Sequence, residues 1–160
     1  MEEVAEEIEP EIMKVRHYKL ATKMAQVRKE FKGDTSDISQ NKIGHVFILE
    51  NKSLLGELVR LEKLRILDLS FNLIDDKGVA ALSQICGTMD GIMPKDLPLK
   101  ELRLRHNRLT YGCHLGLLPF FQHLDVLDLS ENPLTDTFIR ELLISLPSDT
   151  TIFTISNLSM

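Results

Sequence analysis

"LRILDLSFN" (residues 64–72) reads as a buried strand until its last letter, where Asn72 ends a run of leucines. The spelling returns at "LKELRLRHN" (99–107) and at "LDVLDLSEN" (124–132). All three fit LxxLxLxxN, and each continues two places on with an apolar residue, at Ile74, Leu109 and Leu134. This is an internal repeat. A unit of this size cannot bury its own leucines, so the pattern predicts units stacked on one another.

The asparagines set the spacing. From Asn72 to Asn107 is 35 residues and from Asn107 to Asn132 is 25; the longer unit carries "GTMDGIMPKDLP" (87–98), whose Gly, Pro and Asp content marks a loop. Between the strands the apolar period changes from two to about 3.6. Val79, Leu82 and Ile85 follow "IDDKG", and Phe138, Leu142 and Leu146 follow "LTD", which predicts short helices with acidic first turns. Upstream, "IGHVFILEN" (43–51) puts Ile43, Val46, Ile48 and Asn51 on the template positions and predicts a degenerate first unit. Downstream, Phe153 and Ile155 in "TTIFTISNL" are spaced like Leu127 and Leu129 and predict a degenerate last one.

The N-terminal region lies outside the repeat. Residues 1–9 hold five glutamates, and Pro10 suits the first turn of a helix. From Glu11 to Phe31 the chain is a good helix former, with Ile12, Val15, Leu20, Met24, Val27 and Phe31 toward one side and a lysine- and arginine-rich remainder. Gly33, followed by Asp34, Thr35, Ser36 and Asp37, reads as a glycine stop and a turn. The expected division is therefore 1–37, an acidic tail and amphipathic helix, and 38–160, the repeat region. Full repeats run over about 61–146, with degenerate ends at 38–60 and 147–160.

LxxLxLxxNxL, followed by "IDDKGVAAL" and "LTDTFIREL", resembles the leucine-rich repeats, and within them the ribonuclease-inhibitor-like class. The resemblance covers 64–146 well and the flanking units weakly. It implies an α/β solenoid with parallel strands on a concave face, short helices on the convex face, and the helix 11–31 as an N-terminal cap. It also implies a non-enzymatic protein-interaction module, an adaptor or scaffold subunit of a larger assembly such as a cytoskeletal, ciliary or flagellar one. The alternative it allows is a regulator of an enzyme, for instance a GTPase-activating or inhibitory protein.

Strand side chains alternate, so with Leu67 and Leu69 inward, Ile66, Asp68 and Ser70 face outward. Neighbouring units then align Phe47, Asp68, Arg103, Asp128 and Thr154 in one column, and Leu49, Ser70, Arg105, Ser130 and Ser156 in the next. Two readings of Arg103 between Asp68 and Asp128 stand side by side. One is a ladder of surface ion pairs. The other makes Arg103 and Arg105, with Phe71 and His106, the anchor for an acidic or helical partner, since arginine and aromatics are enriched in binding hot spots. The candidate interaction residues are thus Phe47, Asp68, Ser70, Phe71, Arg103, Arg105, His106 and Asp128. The basic side of helix 11–31 reads either as a solvated face or as a dock for an acidic partner. Asn72, Asn107 and Asn132 are expected to be structural, satisfying backbone groups at the recurring turn.

Composition narrows the rest. A net charge of -5 argues against nucleic acid or an anionic membrane surface as partner. No apolar run approaches the roughly 20 residues of a membrane span, and "MEEVAEEIEP" is unlike a signal peptide, so a cytoplasmic setting is expected. Cys86 and Cys113 lie in no bridge framework and read as free thiols. No catalytic motif and no metal-ligand spacing is found among the five histidines, so no enzyme and no cofactor is expected. "YGCH" sets Cys113 beside His114, but a catalytic pair is spatial rather than sequential.

Overall fold

A computed structural model of the chain describes residues 10–87, 94–145 and 154–156. Helix α1 (Pro10–Glu30) is followed by β1 (Thr35–Asp37), the short helices α2 (His45–Glu50) and α3 (Lys52–Val59), and β2 (Ile66–Asp68). Then come α4 (Asp76–Cys86), β3 (Glu101–Arg103), a 3-10 turn (Tyr111–Cys113) leading into α5 (His114–His123), β4 (Val126–Asp128), α6 (Asp136–Ser145) and β5 (Thr154–Ser156). The five strands form one sheet in chain order, every neighbouring pair parallel. Parallel neighbours need a crossover, and the helices supply it.

Each strand is only three residues long, so burial and side-chain hydrogen bonds must do what a longer ladder would. The middle residues Leu67, Leu102 and Leu127 are buried, as are the leucines two places on, Leu69, Leu104 and Leu129. They meet Val79 and Leu82 of α4, Phe120 and Phe121 of α5, and Phe138 and Leu142 of α6 in one continuous core. Gly116 lets α5 lie close on α4, since a Cβ there would come within 3.1 Å of Val79 Cγ1 and 3.3 Å of the Ala80 nitrogen. Helix α1 buries Leu20 and Met24, while Val15 stays exposed. It packs against α3, and its His17 ring meets Phe47 edge-on at 4.9 Å.

Three expectations are corrected. Residues 45–50 are a helix, not a strand, so Phe47 does not stand in the outward column. It is buried with Ile48, while Val46 and Leu49 are exposed, the spacing of a helix face. The first strand is instead Thr35–Asp37, inside the stretch read as a turn, and its register pairs Ser36 with Leu67 and Asp37 with Asp68. Ser36 fills the inward place that leucine holds in the other units, and it is buried. At the other end, Ile155 pairs with Leu127 and Ser156 with Asp128, two residues from the expected alignment. Such a shift keeps side chains on the same faces, because the strand period is two. Phe153 and residues 88–93 of the loop 87–98 lie outside the described residues.

With β1 in place, "DISQN" (37–41) aligns with "DLSFN" (68–72) and "DLSEN" (128–132), and Asn41 is the first of four turn asparagines. Asn72 Oδ1 accepts from the N–H groups of Asn41 (2.9 Å) and Ile43 (3.0 Å) in the preceding unit. Its Nδ2 donates to the carbonyls of Ile38 (3.2 Å), Leu69 (2.9 Å) and Ser70 (3.3 Å). Asn132 repeats this toward the N–H groups of Asn107 and Leu109 and the carbonyls of Leu104, Leu129 and Ser130. Asn107 accepts from Ile74 N–H (2.9 Å) and donates to the carbonyls of Leu69 (3.0 Å) and Leu104 (3.1 Å). Each amide thus ties its own turn to the unit before it, in places that water does not reach: all three asparagines are buried.

Asn107→Ala strands the Ile74 N–H and the carbonyl contacts in the core, and should lower unfolding free energy by roughly 2–4 kcal/mol. Asn41 follows β1, the first strand of the sheet, and its side-chain amide donates to the Ser39 carbonyl (2.8 Å) of its own turn. Asn41→Ala should therefore cost about 1 kcal/mol. Urea denaturation followed by circular dichroism measures both; equal losses at the two sites would contradict the coupling between units.

Candidate interaction surface

The strand face away from the helices carries three outward columns. One aligns Asp37, Asp68, Arg103, Asp128 and Ser156; another aligns Thr35, Ile66, Glu101, Val126 and Thr154. The third, at the position two residues before each asparagine, holds Ser39, Ser70, Arg105 and Ser130. Ser70 and Ser130 are buried, so Ser70 offers no surface to a partner. The aspartates have local work. Asp128 Oδ1 accepts from the Ser130 N–H (3.1 Å) and hydroxyl (2.6 Å), and Asp37 Oδ1 accepts from the Ser39 N–H (3.0 Å) and hydroxyl (2.6 Å). These bonds hold the Asp37 carboxyl below its usual range, the Ser39 hydroxyl contributing most. Asp68 Oδ1 accepts from the Ser70 N–H at 3.0 Å. D-x-S is therefore a turn device that starts the bend toward Asn41, Asn72 and Asn132, while the β3 unit has Arg103 and Arg105 in those places.

Just before each asparagine the chain takes a left-handed step: φ is +57° at Gln40, +56° at Phe71, +54° at His106 and +57° at Glu131. None of the four is glycine, and the conformation costs a non-glycine residue on the order of 1–2 kcal/mol. The ladder continues through it, with Phe71 N–H donating to the Arg105 carbonyl (2.8 Å) and His106 N–H to the Ser130 carbonyl (2.9 Å). The four side chains consequently stand in register along one lip of the sheet.

On that lip Phe71 and His106 stack at 5.0 Å with 21° between their planes, and the Arg105 guanidinium carbon sits 5.9 Å from the Phe71 ring centre. Arg105 is held from the other side by Glu131 through two parallel bonds, Nε to Oε2 and Nη2 to Oε1, both 3.1 Å. That pairing raises the Arg105 pKa and lowers that of Glu131. Phe71 is 42 % exposed, so a large aromatic side chain lies open on a backbone that cannot relax around it. Arg103 donates through Nε to Glu101 and lies 3.8 Å from Asp68 Oδ2.

Both guanidinium groups already have carboxylate neighbours. Around them the face presents Asp37, Asp68, Glu101, Asp128 and Glu131 against Arg103 and Arg105, an acidic excess that does not suit an acidic partner. Of the predicted residues, the structure brings Phe71, Arg105 and His106 together on the lip and sets Arg103 between Asp68 and Asp128; Ser70 is buried in the third column and Phe47 lies in the core on helix α2. Glu131, Gln40 and Asp37 also belong to the surface, and leucine periodicity does not single them out. The D-[IL]-S-x-N spelling, which places all three, is the signal that finds them.

Among the described residues no three His, Cys, Asp or Glu side chains gather into a metal site, and no helix is long and apolar enough to cross a membrane. Both cysteines are free and buried. Burial pushes the thiols of Cys86 and Cys113 up to about 12, and Asp76 adds to the effect at Cys113. Native protein should therefore resist alkylation and disulfide exchange at mildly alkaline pH, with both thiols reacting once the chain is unfolded in guanidinium. Fast labelling of Cys113 in the native state would contradict this.

Residues 60–83 and 123–146 each match a model of the leucine-rich repeat. No curated protein matches the chain at a significant level. The matched stretches are the units of β2 and α4 and of β4 and α6, each a strand, an asparagine turn and a helix. The chain carries leucine-rich repeats.

Proposed function

We propose that the protein is a non-catalytic interaction module: a short solenoid of the ribonuclease-inhibitor-like kind, closed at its N-terminal end by α1. It would bind a helical segment of a partner along the concave strand face and serve as an adaptor or scaffold subunit of a larger cytoplasmic assembly, a cytoskeletal or ciliary one among the candidates. The observation that carries this reading is the lip of Phe71, His106, Arg105 and Glu131. It combines an exposed aromatic pair with a guanidinium group fixed by two hydrogen bonds, on backbone locked by the repeat. Side chains ordered before binding lose little freedom on binding, and aromatic and arginine anchors of this kind dominate interface energetics.

The acidic excess defines the partner further. A helix about 10–12 Å across fits five strands spaced about 4.8 Å apart. Such a helix would set lysine or arginine over Asp37, Asp68 and Asp128 and an apolar residue on Phe71. Leucine-rich repeats as a class support a protein partner; the sign of its charge is inferred from this face.

Photo-crosslinking in cells tests the proposal. Benzoylphenylalanine in place of Phe71 or His106 should give partner adducts, and in place of the exposed Lys77 on α4 should give none. Arg105→Glu and Asp68→Lys should each reduce recovery of the same partner about tenfold. Adducts arising only from position 77 would place recognition on the helices and sink the reading.

A further inference from the structure

An edge strand presents unpaired backbone groups to whatever lies beside it. In β1 the groups facing β2 are identified by their bonds: the Asp34 carbonyl accepts from Arg65 and Ile66, while Ile38 N–H donates to the Asp68 carbonyl and Gln40 N–H to the Ser70 carbonyl. Strand backbone groups alternate in direction, so Thr35 and Asp37 turn their N–H and C=O groups the other way, toward the open edge. There a groove of about 1010 Å³ separates β1 from α1. Thr35, Ser36, Asp37 and Ile38 all line it in succession, so it runs along the strand's edge and not over one of its faces. Its floor is apolar, from Leu20, Met24, Ile38 and Leu58, and Val15 stands exposed at its rim.

The charge of this groove opposes that of the strand face. Arg16, Lys19, Lys23 and Lys32 line it, with Asp37 the one carboxylate among the described lining residues. All four cations are exposed, and they sit in a chain whose net charge is -5. An apolar trough, a strand edge with no partner strand among the described residues and a row of cations together describe a receptor for one chemistry. From Val15 to Gln26 the helix advances about 16 Å, the length of about five extended residues.

We propose that the groove between α1 and β1 binds an acidic segment of a partner protein, added as a strand along β1 with alternate apolar side chains on the groove floor. The added strand takes up the N–H and C=O groups of Thr35 and Asp37, and its carboxylates meet Lys19 and Lys23. This site is separate from the Phe71 lip, and the two can succeed or fail independently.

Fluorescence anisotropy on the full chain, with a labelled peptide alternating glutamate with valine and isoleucine, tests it. The peptide should bind in a salt-sensitive way and weaken about tenfold in the Lys19→Glu, Lys23→Glu double variant, while Arg105→Glu leaves it unchanged. Two N-methylated versions, blocking alternate sets of peptide N–H groups, should differ: one binds like the parent and the other loses binding about tenfold or more. That series reads on the unaltered protein, whatever the double variant does to folding. Equal tolerance or equal loss in the two series would exclude an added strand in favour of a helix or a loose charge contact. Equal affinity for the same peptide with lysine for glutamate would exclude the charge complement. Binding only after removal of residues 2–9 would assign the groove to the chain's own acidic terminus and overturn the proposal.

Discussion

The repeat depends on one side-chain amide used over and over. A strand of three residues leaves most of the backbone at its end without a ladder partner, and the leucines carry that backbone into a place water cannot reach. Asparagine meets the need because it has an acceptor and two donors at the tip of a short stem. Aspartate could accept the two N–H bonds that Asn72 takes from Asn41 and Ile43, but it could not donate to the carbonyls of Leu69 and Ile38. The left-handed residue before each asparagine follows from the same demand. The chain must turn sharply enough to bring the amide under its own strand and against the preceding one. It accepts an unfavourable φ at Phe71, His106 and Glu131 to do so.

That demand explains which units are legible in the sequence. In the units of β2, β3 and β4 the inward places hold leucine and the turn holds asparagine, so hydrophobic and polar signals coincide. In the first unit they separate. "HVFILE" sets Val46 and Ile48 on template positions, but as a helix it buries Phe47 and Ile48 in the core and leaves Val46 exposed. The true strand places Ser36 where leucine is expected, so apolar periodicity is silent there. Asp37, Ser39 and Asn41 alone mark it, and they mark it through hydrogen-bonding geometry. A reading anchored on polar letters finds this unit; one anchored on leucine passes over it.

The surface is harder to read for a related reason. Alternation along a strand tells which residues face outward, and it sets Asp68, Arg103 and Asp128 in one column, as they stand. Which outward residues remain available depends on local bonds that alternation does not reveal. The serines two places after the aspartates fold into the turn and are buried, and the aspartates are partly engaged in holding them there. What remains open lies a step later, at the left-handed position, where the side chains take no part in the asparagine turn itself and vary from Gln40 to Phe71, His106 and Glu131. A repeat that constrains its leucines, aspartates and asparagines this tightly leaves identity to be written at that position.

Charge is separated by the same architecture. The strand face gathers Asp37, Asp68, Glu101, Asp128 and Glu131, whereas the cations of α1 line the groove beyond β1. Asp37 sits at the boundary, in the outward column and in the groove lining at once, and it feels both Arg103 and Lys23. A single partner surface of one sign is therefore favoured on one side of β1 and opposed on the other. That asymmetry arises from placing a basic helix beside the edge of an acidic sheet.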